Sequence, residues 1–317
     1  MRAVLSLVLA TTAVAATAAP PTVTDLTSRL PEDADVVLGS DAGVLRAHPL
    51  AQDWLRQHRT EWAGADTEAS AFLREAGLDP TRDVDAMVVA AVTEHPQPRW
   101  LALFAGRYDA ASLGAALQRR GVARVQLGHR SAFRLRNEGT ERTALIHVSD
   151  DLVTLGDEAS VAESLAGAYR GSALLTREVA ARHVDTTAHF WIVANVPEKA
   201  RPDASAEVRP EQSGPVHDAL LTSGAVQHVA VQVNMSDALR VQGWAVADSV
   251  DNAELLRDAL KGAVAAMRLQ AQSRVPELVQ VLREVEIRQT GVDVSGTASI
   301  PVTLLERLLS KRQAESI

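Results

Sequence analysis

The chain contains no cysteine. That excludes disulfides, thiolate metal sites, a cysteine nucleophile and the lipid-bearing cysteine of a bacterial lipoprotein, so stability must come from packing. Aromatic residues make up only 3% of the 317 positions, far fewer than the sugar-stacking platforms of a glycosidase usually require. Lysine occurs only at Lys199, Lys261 and Lys311. None of them follows a glycine, and no two glycines have G-x-G spacing, which excludes the known phosphate loops. The serine elbow G-x-S-x-G and the S-x-x-K pair are also missing, so nucleophilic serine hydrolysis has no local support. The nine histidines form no H-E-x-x-H or other zinc spacing. The formal charge is −8, and nothing in that balance suggests nucleic acid.

The start of the chain reads as a leader. Met1 and Arg2 form a positive head, Ala3 to Leu9 an apolar run, and Ala13, Ala15, Ala16 and Ala18 supply small residues. This is the pattern of a secretory signal peptide cleaved after Ala18, with Pro20 at the second mature position. The apolar run is shorter than the roughly 20 residues a bilayer core requires, and no second run of that length follows. The expectation is an exported protein, periplasmic or extracellular, without a transmembrane segment in the mature chain 19–317. Its charge is −9 once Arg2 is removed. Scarce lysine beside abundant arginine and alanine fits a GC-rich bacterial genome.

The same order of elements is legible twice, so the expected fold is α+β. Two similar units, 28–171 and 172–317, would each carry a mainly antiparallel sheet with helices packed on one face. In the first, strands are expected at 35–41, 84–92, 100–108, 122–127, 132–135 and 144–155. A helix capped by Asp109 stops at Gly121, and another opens at Asp157. In the second, strands are expected at 189–196, 226–234, 239–247, 285–289 and 292–300. Asp251 with Glu254 reads as a capping box for a long helix, and Pro301 as the first turn of the last one. A Pro-rich loop spans 197–215, with a short helix expected over 216–222.

Leu30, Pro31, Glu32, Asp33, Ala34 and Asp35 lead into one strand, and Gly77, Leu78, Asp79, Pro80, Asp83, Val84 and Asp85 into another. Together with Gly291, Ile300, Pro301 and a leucine-striped final helix, these motifs resemble exported bacterial proteins carrying a domain of unknown function. The resemblance implies the architecture and export, and no site residues. Read physically, Gly77 is a left-handed helix cap and Asp79 with Pro80 a turn. Asp79, Asp83 and Asp85 could alternatively hold calcium, although the glycine-centred repeat of a calcium loop is missing.

Candidate chemistry is sparse. His183, Asp185 and His189 form the nearest metal-like cluster, but it spans a helix end and a strand start. The pairs Glu32 with Asp33, Asp150 with Asp151 and Asp157 with Glu158 fall where acidic side chains satisfy free N–H groups. Trp100 and Trp244 fall in corresponding strands and Trp191 in a third, all read as core. No catalytic, cofactor-binding or metal residue is assigned. One charge feature departs from the average: seven arginines lie between Arg107 and Arg136 against the single acidic Asp109. Arg119, Arg120, Arg124, Arg130 and Arg134 form the candidate surface for an anionic envelope component or protein partner. The alternative is scattered arginines paired with acids elsewhere. The functional expectation is non-catalytic binding or scaffolding in the envelope. The alternatives are a hydrolase with dispersed acidic residues, and a structural protein with an apolar patch near Leu256 to Met267.

Overall fold

The computed structural model describes residues 19–49, 51–52, 68–93, 98–136, 143–176, 182–196 and 226–314. The leader expected at 1–18, the loop expected at 197–215, the helix expected over 216–222 and half of a helical region that the sequence predicts over 44–59 lie outside the described residues.

Among the described residues twelve strands form one sheet. The first seven are β1 (Val36–Asp41), β2 (Val84–Val92), β3 (Arg99–Gly106), β4 (Ala123–Leu127), β5 (Arg130–Arg136), β6 (Thr143–Val148) and β7 (Leu152–Asp157). The others are β8 (Phe190–Asn195), β9 (Val226–Met235), β10 (Ala238–Ala247), β11 (Glu286–Thr290) and β12 (Asp293–Pro301). Their order is β11-β12-β10-β9-β8-β1-β2-β3-β7-β6-β5-β4, antiparallel throughout. The α+β class is therefore as expected, but the two halves share a single sheet joined by β1–β8 pairing, in place of one sheet each. In each half a three-strand meander is followed by a helix, and a later strand returns to pair with the third.

Short helices α1 (Val23–Thr27), α2 (Ala42–Ala47), α3 (Glu68–Glu75) and α4 (Pro80–Asp83) precede α5 (Ala110–Arg119), α6 (Glu158–Leu165) and α7 (Ala173–Thr176). The second half adds α8 (Val250–Arg274), α9 (Leu278–Arg283) and α10 (Val302–Ala314). Asp109 and Asp157 cap α5 and α6 as expected, accepting from the Ser112 and Ser160 amides at 2.9 Å. Gly77 adopts φ 67°, the left-handed cap. The long helix corrects one expectation. Its N-cap is Ser249, which accepts from the Asn252 amide, so Asp251 and Glu254 form no capping box there. Pro301 ends β12 instead of opening α10.

Successive strand residues point to opposite faces, and the core divides accordingly. Leu101, Leu103 and Ala105 face one way, into a cluster with Leu26 and Leu30 beside α1, Val161 and Leu165 of α6, and Leu174 of α7. One register line on this face runs from Trp244 through Ala230, Val193, Val37 and Ala90 to Leu101. Phe104 and Val153 face the other way, under α3 and α5 at one end of the sheet. Ala245 and Val294 share that second face at the other end, under Ala253 and Leu256 of α8. Helices thus cover both faces, not one. Apolar residues lie on both sides of the central strands, so the alternating half-polar signature that would have marked a bare face is missing.

The tryptophans divide too. Trp191 is fully buried in the first cluster, whereas Trp100 lies on the opposite face and is 38% exposed. Trp244 packs against the first cluster and stacks on His183 at 5.4 Å. Trp100 and Trp244 occupy corresponding strands but opposite faces.

Candidate functional site

A cleft of about 420 Å³ opens between α5 and the strands β4, β5 and β6. Its origin is the two-sidedness of α5. Leu113, Ala116 and Leu117 are the buried side. The neighbouring side carries only Ala110, Ala111, Gly114 and Ala115, which line the cleft without filling it. A Cβ at Gly114 would stand 3.3 Å from Cζ of Phe133, so the helix backbone rests close to the sheet at that point and the space lies to either side.

The sheet contributes Arg124, Ser131, Phe133 and Val148, and the exposed end of α5 adds Gln118. In the β4–β5 register Arg124 faces Phe133 and Gln126 faces Ser131, so these four share one face. Phe133 is buried and forms the floor. Arg124 is exposed, and its Nη2 donates to the Ser131 hydroxyl at 2.8 Å. Since Ser131 accepts that bond, its own hydroxyl proton is still to be donated, and a guanidinium carries further N–H donors beyond the one it uses. The site is apolar at its base and cationic at its mouth.

The five candidate arginines have different fates. Arg119 and Arg120 converge on Glu75 of α3, at 2.7 and 3.0 Å, and Arg120 lies 5.5 Å over the Phe72 ring. Hydrogen bonds from Arg119 first and Arg120 second hold the Glu75 carboxyl below the usual range. Arg134 reaches both carboxylate oxygens of Glu158 at 3.1 Å. Arg124 lines the cleft, and Arg130 stands exposed where β5 begins. Neither of these two has a carboxylate partner among the described residues. The arginines therefore do not form one patch: three are engaged with acids and two project from one hairpin.

Ser131, Gln118 and Phe133 were not singled out by their residue types. The signal that could have found the cleft is the run of small residues at 110, 111, 114 and 115 on one side of a helix followed by a hairpin.

The other clusters resolve into structural roles. Asp79 caps α4 and accepts from Thr81. Asp83 accepts from the Asp79 amide, and Asp85 pairs with Arg46 and, at 3.5 Å, with Arg107. His183 Nε2 lies 3.7 Å from Asp293, Asp185 accepts from Thr187, and His189 Nδ1 accepts from the Met235 amide, so the three point to different partners. Among the described residues no three His, Asp or Glu side chains are placed to hold a metal ion. On α8, Leu256, Ala263 and Val264 are buried, while Leu255 and Leu269 point outward at 65% and 68% exposure. No helix among the described residues is long and apolar enough to cross a membrane.

No family model matches the chain. None of the curated proteins matches it either. Two solved structures of TP0453 resemble it. Crystal form I shares 9% identity at a TM-score of 0.46, and crystal form IV 11% at 0.44. Each likeness covers 90% of this chain and 96% of the other. Likenesses of that degree assign neither family nor function.

Proposed function

We propose that this is an exported, non-catalytic binding protein of the bacterial envelope, built from two repeats of one α+β unit, and that it takes an anionic ligand in the cleft under α5. Export rests on the leader at residues 1–18. The repeat rests on the recurring path of meander, helix and returning strand in each half of the sheet. The ligand reading rests on one observation above the others: Arg124, in an acidic chain, stands at the mouth of a cleft of about 420 Å³, bonded among the described residues to the Ser131 hydroxyl and to no carboxylate. Clefts of this size suit small or segmental ligands held by a few placed polar groups. A guanidinium, an amide and a hydroxyl recognise an oxyanion by hydrogen bonds. The nine lining residues include no carboxylate, histidine or tyrosine, which favours recognition over acid–base chemistry.

The test is thermal unfolding of the chain from residue 19 against envelope lipids, glycans, peptides and small carboxylates. A ligand at 100 times its Kd adds about 2.7 kcal/mol of stability. Such a gain with an anionic compound, lost in Arg124→Ala and kept in Arg119→Ala, supports the reading. A gain that survives Arg124→Ala places the site elsewhere, and no gain across the panel removes it.

A further inference from the structure

The cleft adjoins an open edge of the sheet. β4 is the last strand, pairing with β5 on one side and with no strand on the other among the described residues. Leu127 and Arg130 are direct partners across the two-residue loop Gly128–His129. Gly128 has φ 61°, and no non-glycine residue among those described, His129 included, has positive φ, the pattern of a type II′ hairpin. In such a hairpin the residues flanking the loop exchange both backbone bonds, and pairs then alternate. Leu127 and Val125 therefore spend their N–H and C=O groups on β5, while those of Arg124 and Gln126 point out to the open edge. The other strand agrees: the Ser131 carbonyl, opposite Gln126, points away from β4 and accepts from or faces His147 Nδ1 at 2.7 Å. The side chains of Arg124 and Gln126 meanwhile lie on the cleft's face.

We infer that the occupant of this site is an extended acidic peptide segment that adds to β4 as a thirteenth strand, bonding to the backbones of Arg124 and Gln126 and placing an acidic side chain at the Arg124 guanidinium. The inference rests on the anion-binding reading above and gives the ligand its class. Strand addition supplies backbone bonds for affinity, and adjoining pockets take alternate side chains for specificity. The charge selects the occupant. Arg124 and Arg130 have no carboxylate partner among the described residues, and the Arg124 guanidinium is bonded to the neutral Ser131 hydroxyl. The edge is locally cationic in a chain of net charge −8. At the opposite edge, β11, Glu286 and Arg288 cancel one another at 2.5 Å, and Gln289 is bonded to Arg257 and to the Val250 carbonyl of α8. That edge offers no comparable preference.

The experiment uses the full chain from residue 19 and three probes. One is an acetylated, amidated hexapeptide of alternating glutamate and valine, labelled for fluorescence anisotropy. The second is the same peptide N-methylated at alternate residues, in both frames, and the third is glutarate. The hexapeptide is expected to bind, to lose at least tenfold in affinity to Arg124→Ala, and to lose at least tenfold on methylation in one frame. Gln126→Pro, which removes an outward N–H without touching the β4–β5 ladder, is expected to weaken binding similarly with the melting temperature retained. Methylated peptides that bind as tightly as the parent in both frames overturn strand addition. Glutarate binding that depends on Arg124, without peptide binding, overturns strand addition and preserves the anion site. Binding of neither probe removes both. Dimerisation that Gln126→Pro abolishes assigns the edge to a second copy and likewise overturns the inference.

Discussion

Gly39 and Trp191 are direct partners across the β1–β8 pairing that joins the two halves of the sheet, and the indole lies over the glycine. A Cβ on residue 39 would stand 2.4 Å from Cζ2 of Trp191. The ring cannot easily withdraw, because it is fully buried and its Nε1 donates to the Thr186 carbonyl at 3.1 Å. Gly39→Ala is therefore expected to destabilise by about 1–3 kcal/mol, the usual cost of overpacking. Denaturant titration measures it. The double variant with Trp191→Leu tests the cause: if the clash is responsible, the two losses are less than additive. Additive losses would place the cost elsewhere.

Asp157 joins two elements through one carboxylate. Its Oδ1 accepts from the Ser160 amide at 2.9 Å, and its Oδ2 from the Ser160 hydroxyl at 2.9 Å and the Trp100 amide at 2.7 Å. Ser160 is fully buried. Removing the side chain strands donors at the start of α6 and at the start of β3 together, and Asp157→Ala is expected to cost about 1–2 kcal/mol. Asp157→Asn, which keeps one acceptor oxygen, should recover part of that loss. Equal losses in the two variants would mean that the acceptor role is not what matters.

Elements bounded by strong punctuation were legible. The strand from Val84 to Val92 and the helix between Asp109 and Gly121 sit where apolar pattern and capping chemistry place them. The span from 144 to 155 was less clear, reading as one strand because the apolar run on either side conceals a turn. Ser149 closes that turn, its hydroxyl donating to Asp151 and its backbone amide to the Leu152 carbonyl, which separates β6 from β7. The joining of the halves was not legible at all. Nothing in Val37 or Val193 says that they pair with each other and not with strands of their own half. The cleft escaped for a related reason. Its charge came from arginines that residue type marks equally, and only tertiary pairing with Glu75 and Glu158 separates Arg119, Arg120 and Arg134 from Arg124.

The Glu75 pairing sets a pH dependence. Its carboxyl is held below the ordinary value by Arg119 and Arg120, so the folded chain binds fewer protons there than the unfolded chain. Stability from such a group is present above the unfolded pKa and lost as pH falls through the folded one. Asp83 and Asp185 are lowered as well: Asp83 by Arg82 and the Asp79 amide, against an opposing burial cost that is its largest single influence, and Asp185 by Thr187. The chain is expected to hold its stability above about pH 5 and to lose it progressively below about pH 4.5. Glu75→Gln, which resembles the protonated carboxyl, should lower the neutral plateau slightly and leave the stability at low pH nearly unchanged, so that the acid limb becomes shallower. An unchanged acid limb in the variant would show that the Arg119 and Arg120 contacts do not persist in solution.

The small residues of α5 provide a test of the cleft that leaves every charge in place. Ala111 is exposed at the cleft wall, one turn before Ala115 and beside Gly114. Ala111→Leu adds three heavy atoms there, in a helix that accepts leucine readily. Because Ala111 is exposed and caps nothing, stability is expected to change by no more than about 0.5 kcal/mol. An anionic ligand seated in the cleft should nevertheless lose at least tenfold in affinity, while Arg124 remains available to any ion that merely pairs with it from solvent. The comparison separates two meanings of an arginine effect. Loss in both Arg124→Ala and Ala111→Leu fixes the ligand inside the cleft, next to Phe133. Loss in Arg124→Ala alone places it on the open edge of β4 without entry, and the small-residue side of α5 would then serve only to bring the helix close to the sheet.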